Sequence, residues 1–290
     1  MQVWGLVALC IALSLLPVLA WGSLFLYKHN EKKDLVIKTF IFAAISVIPL
    51  VCYRLLWGVL PGAQLNEYFS TIINFQIFQS SLPLNLLVLF VTIGIVEEYL
   101  KHFVASKVDK SEIDNIDDAI EFSIIAALGF SFAENAFYFI DVYQNLEVTM
   151  FWKVVVFRSL FSTLAHVIFS SIYGYHFGLA LFAKPLTKQR YKMGFVTSTN
   201  RLLARLLSKL KVRESDLFMD EQRFLGLFLA ASLHAAFNVF LELNQVAVVL
   251  PMLFFGLYYV LYLISKKENH INLNQNKKRP DKAGLEWSNF

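Results

Sequence analysis

Two adjacent acids, Glu97 and Glu98, interrupt an otherwise apolar run, LPLNLLVLFVTIGIVEEYLKHFV. A charge held at mid-bilayer costs from about 3 to more than 10 kcal/mol, so binding or chemistry is the first explanation for an acid placed there. The plain alternative is a pair of acids at a helix end, reaching for water. Other apolar runs carry polar groups of the same kind: Glu134 and Asn135 within GFSFAENAFYF, Arg158 and His166 in the run that follows Val154, and His234 with Asn238 in the run that follows Arg223. Glu97 lies 12 residues past Asn85, Glu134 12 past Phe122, His166 12 past Val154 and His234 11 past Arg223. At 1.5 Å per residue each is roughly 16–18 Å deep, near the middle of a hydrocarbon layer about 30 Å thick. Independent snorkelling groups would gather near the helix ends, so the shared depth predicts one polar site.

For such a set, the family resemblance that its motifs carry implies amide hydrolysis. That reaction needs a base to take a proton from water and donors aimed at the developing oxyanion. A crowded pair of acids can divide these tasks, one acting as base and the other as proton donor. In this reading Glu97 activates the water, with Glu134 or His166 as its partner. Glu98 and Lys101 orient the site and balance charge, while His234 and Asn238 donate to the oxyanion. Glu97 and Lys101 are spaced i,i+4, as are His234 and Asn238, and Arg158 and Ser162, so each pair shares a helix face. The bland readings are that Arg158 and Lys101 only neutralise acids, that Asn135 glues helices together, and that His102 and His176 sit at the membrane interface. Glu97, Glu134, His166 and His234 also form a plausible zinc ligand set. No HExxH motif is present, and a metal-free mechanism with no cofactor is favoured over zinc.

These groups need helices to hold them at depth. The chain is 57% hydrophobic with 28 Phe, and its mean hydropathy is +0.55. Its apolar runs reach about 20 residues, without the ten-residue alternation of a membrane β-barrel. An all-α, polytopic bundle of about seven spans follows: Val3–Tyr27, Val36–Leu60, Leu84–Val104, Ala119–Ile140, Val154–Phe182, Phe224–Leu241 and Val246–Ile264. Gly129 and Ala133 supply a small-residue face for close helix approach. Cys10 and Cys52 both fall in apolar segments, which indicates neither a disulfide framework nor a cysteine metal site. Residues 1–27 lack a basic leader and read as a retained span.

Lys and Arg set the orientation. Lys28, Lys32, Lys33 and Lys38, then Lys101, Lys107 and Lys110, the stretch Lys184 to Arg213, and the tail from Lys266 all fall on one side. The opposite connections carry Lys153 alone. The N-terminus is therefore expected outside and the C-terminus in the cytoplasm. Residues 1–80 read as a transmembrane hairpin plus a short interfacial helix, in which Tyr68, Phe69, Ile72, Ile73 and Phe78 recur at helical spacing. Residues 81–264 form the catalytic bundle, with a basic cytoplasmic loop at 184–222. Within that loop, residues 201–213 read as a basic amphipathic helix suited to anionic lipid. Residues 265–290 read as a disordered tail. No nucleic-acid motif is present.

The motifs resemble a known family. Glu97-Glu98-Tyr99-Leu100-Lys101 resembles an EExxK motif, Phe132-Ala133-Glu134-Asn135 an FAxEN motif, and His234-Ala235-Ala236-Phe237-Asn238 an HxxxN motif. A helix with Arg158 and His166 lies between the last two. Their order resembles the PrsW family of intramembrane proteases, within the group that contains the CAAX-processing and bacteriocin-processing (Abi) membrane proteases. The resemblance runs from about Leu84 to Leu241. It implies an endopeptidase acting on membrane-spanning or membrane-associated proteins, such as a small membrane-bound regulator, in a bacterial inner membrane. In the CAAX-processing relatives a Glu of the first motif and a His of an FxxxH motif activate water, and the last motif's His and Asn stabilise the oxyanion. Here Glu134 stands where those relatives have that His.

Two rivals belong to other classes. Buried acids and histidines also make proton relays, so a proton-coupled transporter is one. The paired broken half-helices typical of transporters are missing. A non-catalytic binding or immunity-type protein is the other, but it gives no reason for the polar groups to gather.

Overall fold

The computed structural model describes residues 3–25, 33–57, 60, 65–69, 71–77, 80–108, 112–145, 147–186, 214–266 and 271. Among these the chain folds as a bundle of α-helices: α1 (Val3–Phe25), α2 (Lys33–Ile45), α3 (Ile48–Trp57), α4 (Leu84–Val108), α5 (Ile116–Asn145), α6 (Val148–Phe157), α7 (Thr163–Leu181), α8 (Glu214–Glu242) and α9 (Val246–Ile264). A π-helical segment, Arg158–Ser162, joins α6 and α7 into one 34-residue span. The all-α polytopic architecture expected from the apolar runs is therefore present. Among the described residues, six helical segments are long and apolar enough to cross a membrane. The 25-residue α4 matches them in length, with Glu97, Glu98 and Lys101 near its middle.

Local chemistry accounts for the element boundaries. Asn115 caps α5, its Oδ1 accepting the Asp118 N–H at 2.7 Å, and Asp117 and Asp118 occupy the first turn where the helix dipole favours acids. The span expected as Val36–Leu60 instead starts at Lys33 and breaks at Ser46-Val47. Pro49, at the head of α3, has no N–H to offer the Ile45 carbonyl. The short turn between α8 and α9 closes because Asn244 adopts a left-handed conformation (φ 56°), with Gln245 N–H donating to the Phe240 carbonyl at 2.8 Å.

α5 lies at the centre and is buried from Ile116 to Ser131, against α7, α2, α1 and α4. Gly129 permits the α2–α5 crossing, since a Cβ there would fall on the Phe40 carbonyl oxygen. This is the small-residue approach expected of that face. α8 packs between α4 and α7, with α9 against α7 on the outside. Phe254, Phe255 and Tyr258 of α9 are about two-thirds exposed. An apolar exterior of this kind suits lipid as solvent.

One expectation is corrected. Instead of an interfacial helix between the second and third spans, the described residues form a 3₁₀ turn, Leu65–Tyr68, and an antiparallel hairpin of β1 (Asn74–Ile77) and β2 (Ser80–Pro83). β-branched and aromatic residues with period-two alternation support strands as well as helices over so short a stretch. Leu82 is fully buried in a cluster with Val239 and Leu243, against which Leu86, Leu87 and Phe90 also pack, and this seats the hairpin on the ends of α4 and α8. Phe78, the basic 201–213 segment and most of the tail lie outside the described residues.

Candidate active site

Glu97 and Glu98 come from α4, Glu134 and Asn135 from α5, Arg158 from the π segment, His166 from α7, and His234 and Asn238 from α8. All are helical, and the helices cross at the depth where these residues sit. Gly94 makes the tightest of these crossings possible: a Cβ there would lie 2.9 Å from the Ala231 carbonyl oxygen and 3.2 Å from the Ala235 nitrogen. Glu97 is one turn beyond Gly94, and His234 precedes Ala235. The backbone contact thus brings Glu97 Oε2 to 3.6 Å from His234 Nε2.

Behind this pair lies a fully buried charge layer. Glu98 and Lys101 have no exposed side-chain surface and form an ion pair. Lys101 thus pairs with Glu98, not with Glu97 as the i,i+4 spacing suggested. Leaving Glu97 unpaired by Lys101 keeps its carboxylate on the cavity side. Glu98 Oε1 also meets His234 Nδ1 at 2.8 Å. Because that oxygen accepts from Lys101, it accepts from His234 too, so Nδ1 carries a proton and Nε2 is the ring nitrogen turned to Glu97. Lys101 Nζ lies 3.0 Å from His166 Nδ1, and His166 Nε2 lies 3.0 Å from Glu134 Oε2. An ammonium only donates, so His166 accepts at Nδ1 and donates from Nε2 to Glu134.

Glu134 Oε1 is in turn 2.7 Å from an Arg158 guanidinium nitrogen. Arg158 Nε donates to Asn135 Oδ1 at 2.7 Å, and its guanidinium stacks on Tyr138. Asn135 is fully buried and donates to Ser131 and Thr163 Oγ1 at 3.3 and 3.2 Å. It therefore fastens α5 to α7 and aims Arg158. The π segment occurs at this place: one extra residue in the turn redirects the Arg158 side chain, as such bulges do at functional sites.

Glu97, Glu134, Arg158, His166, His234 and Asn238 all line one cavity of about 1180 Å³. Glu98, Lys101 and Asn135 do not line it and act from behind. α4, α5, the α6–α7 span and α8 contribute to the wall from the half that points toward the hairpin, residue 147 and the Leu243–Gln245 turn, and α3 adds residues between Pro49 and Arg54. Near that end Arg54 of α3 pairs with Asp141 of α5 at 3.1 Å.

Other residues of the site were not assigned from sequence. His102 and His176, expected at the interface, are 4% and 8% exposed. His102 stacks on Tyr173 with centroids 3.3 Å apart and places Nε2 3.4 Å from Glu98 Oε2. His176 meets Gln222 Oε1 at 2.8 Å, away from the site. The Glu98–His102 and Ser131–Asn135 contacts each follow an i,i+4 spacing that could have drawn attention to them. Thr163 gave no such signal.

The residues offer a metal site. One donor atom each from Glu97, His166 and His234 falls within 4.8 Å of the other two. Glu97 Oε2 is buried with no hydrogen-bond partner, and His234 Nε2 faces it at 3.6 Å, so these two atoms are turned toward the same point. Glu134, counted in the four-residue set expected from sequence, instead holds Arg158 and His166.

The profile described as PrsW family intramembrane metalloprotease matches residues 31–265. The chain belongs to that family. It is 33% identical over 104 residues to "Protease PrsW" of Geobacillus kaustophilus (strain HTA426), a match covering 35% of this chain and 42% of that relative. The chain thus aligns with less than half of the relative's length. No solved structure gives a significant match.

Proposed function

We propose that this protein is a metal-assisted intramembrane endopeptidase that cleaves membrane-anchored polypeptides in the cytoplasmic membrane of a bacterium. The observation that carries the reading is the convergence of Glu97, His166 and His234, from α4, α7 and α8, on one cavity in the membrane-spanning part of the bundle. Glu97 and His234 would hold the ion, zinc by the chemistry of the donors, and His166 would join by giving up one of its two hydrogen bonds. When bound, such an ion supplies Lewis-acid polarisation of the scissile carbonyl and acidifies water.

The remaining chemistry belongs to the side chains. Glu98 holds His234 in the Nδ1–H tautomer, so His234 serves as a ligand at Nε2 and not as the oxyanion donor that the sequence suggested. Glu134, a quarter exposed and lining the cavity, takes the proton from water as oxygen adds to the carbonyl carbon. The same carboxyl group hands that proton to the departing amine as the C–N bond breaks. Arg158 keeps Glu134 in place. The Asn238 amide lines the cavity opposite and donates to the oxyanion. By the distribution of Lys and Arg, the cavity opens on the non-cytoplasmic side.

The reading is tested in proteoliposomes with a single-span reporter peptide. Glu97→Gln and His234→Ala should each lower turnover by at least ~10²-fold while the protein still inserts and elutes as wild type. Chelation should remove both activity and a stoichiometric metal, and zinc should restore both. Solute or proton uptake without cleavage would establish the transporter instead. Cleavage that survives complete removal of metal would return the mechanism to the metal-free carboxylate scheme.

A further inference from the structure

Among the described residues, the β1–β2 hairpin has a hydrogen-bonding edge with no partner strand, at the end of the bundle toward which the cavity lies. Leu84 N–H donates to the Ile73 carbonyl at 2.8 Å, in register with the ladder Asn74↔Pro83, Phe75↔Leu82, Gln76↔Ser81, Ile77↔Ser80. In an antiparallel ladder this makes Phe75 and Ile77 the residues that bond to β2. The N–H and C=O groups of Asn74 and Gln76 then point outward, and β1 has no second neighbour among the described strands. The outer edge of β2 is poorer, because Pro83 has no N–H. β1 thus offers two donors and two acceptors at alternate residues.

The edge is tied to the site. Leu82, directly across from Phe75, shares an apolar cluster with Val239 and Leu243; Phe90 packs against that cluster and belongs to the cavity wall with Leu89, Ile93 and Val96 of the same helix. From Leu84 to Glu97 is 13 residues of α4, about 20 Å at 1.5 Å per residue. An extended chain covers that distance in about six residues. A peptide bond can be attacked only where the helix of a membrane-anchored substrate is unwound. Unwinding leaves backbone groups without partners in an apolar surrounding, which is costly unless another backbone receives them.

We propose that β1 is the substrate-docking strand: an unwound segment of the membrane-anchored substrate adds to the Asn74–Ile77 edge as a third strand and is led from there along α4 to Glu97. This rests on the protease reading above, and recognition by backbone makes it tolerant of substrate sequence.

The experiment is an N-methyl scan of a long single-span substrate, with the full-length protein in proteoliposomes. N-methylation at alternate residues, about five to eight positions from the scissile bond, should raise KM about tenfold with kcat unchanged, and the residues between should be insensitive. Gln76→Pro removes an outward N–H and leaves the β1–β2 pairing intact. It should raise KM for the long substrate to a similar extent, abolish the alternating pattern, and leave a short peptide that stops before this window unaffected. Ser81→Pro, on the other edge, should change neither. A flat scan with active enzyme, or equal effects of Gln76→Pro and Ser81→Pro, overturns the docking proposal alone. Failure of the wild-type protein to cleave any peptide overturns the protease reading and this proposal with it.

Discussion

Replacing Gly94 with alanine adds one methyl group and no charge, yet it should cripple the site. The new Cβ would stand 2.9 Å from the Ala231 carbonyl oxygen, where ordinary contact begins near 3.4 Å. The obstacle is backbone on a neighbouring helix, so no rotamer change relieves it. α4 and α8 must separate by about 0.5 Å, the difference between those two distances. Overpacking of this kind costs roughly 1–3 kcal/mol of stability, which a bundle of this size can absorb. The functional loss is larger in consequence, because Glu97 rides on one helix and His234 on the other. A misplacement of 1 Å costs on the order of 10²-fold in rate, so half of that should cost about tenfold. Gly94→Val, which forces a wider separation, should cost more. The assay is kcat for the single-span reporter in proteoliposomes, beside thermal melting and zinc binding of the same preparations. Wild-type kcat in a folded Gly94→Ala protein would refute the claim that this crossing sets the Glu97–His234 distance.

Other outcomes follow from the buried layers. Lys101→Met leaves the Glu98 charge in a fully buried place and should destabilise the protein by about 3–5 kcal/mol, whereas Glu98→Gln/Lys101→Met should recover much of that loss. Reversible denaturation in mixed micelles measures both, and a single variant as stable as its parent would show that water reaches the pair. Glu98→Ala should weaken zinc binding 10–100-fold in a chelator competition while the three ligands stay in place, because His234 loses the partner that orients it. Equal affinity would mean that the α8 backbone alone positions the imidazole. Asn135→Leu strips the Arg158 Nε–H of its acceptor and should cost about 1–3 kcal/mol of stability along with reduced turnover. A drop in stability with unchanged kcat would make Asn135 purely a helix fastener.

Much of the site was legible because hydrocarbon is a severe filter. Glu97, Glu134, His166 and His234 could be grouped from depth alone, since each lies about the same number of residues into its apolar run. Depth along a helix is a one-dimensional quantity and follows directly from residue spacing. Partner choice around the helix axis does not. Lys101 is within reach of both Glu97 and Glu98 by spacing, and it turned to Glu98 because His166 waits on that side. By sequence His102 reads as interfacial because it lies at the cytoplasmic end of its apolar run. It is buried because Tyr173 of α7 covers its ring.

The apolar runs, the polar groups at their midpoints and the small residues at the crossings were determined by the sequence by itself. They suffice for an all-α membrane bundle with a shared polar site. Tertiary structure decided which atom faces which: that Glu97 Oε2 and His234 Nε2 face each other at 3.6 Å, that Glu98 and Lys101 stand behind them, and that a hairpin replaces the helix expected before α4. The physical reason is that transfer from water to lipid is read by each residue alone, through its own polarity. Hydrogen bonding and backbone approach depend on pairs of residues far apart in the chain, and those pairs exist only once the helices have crossed.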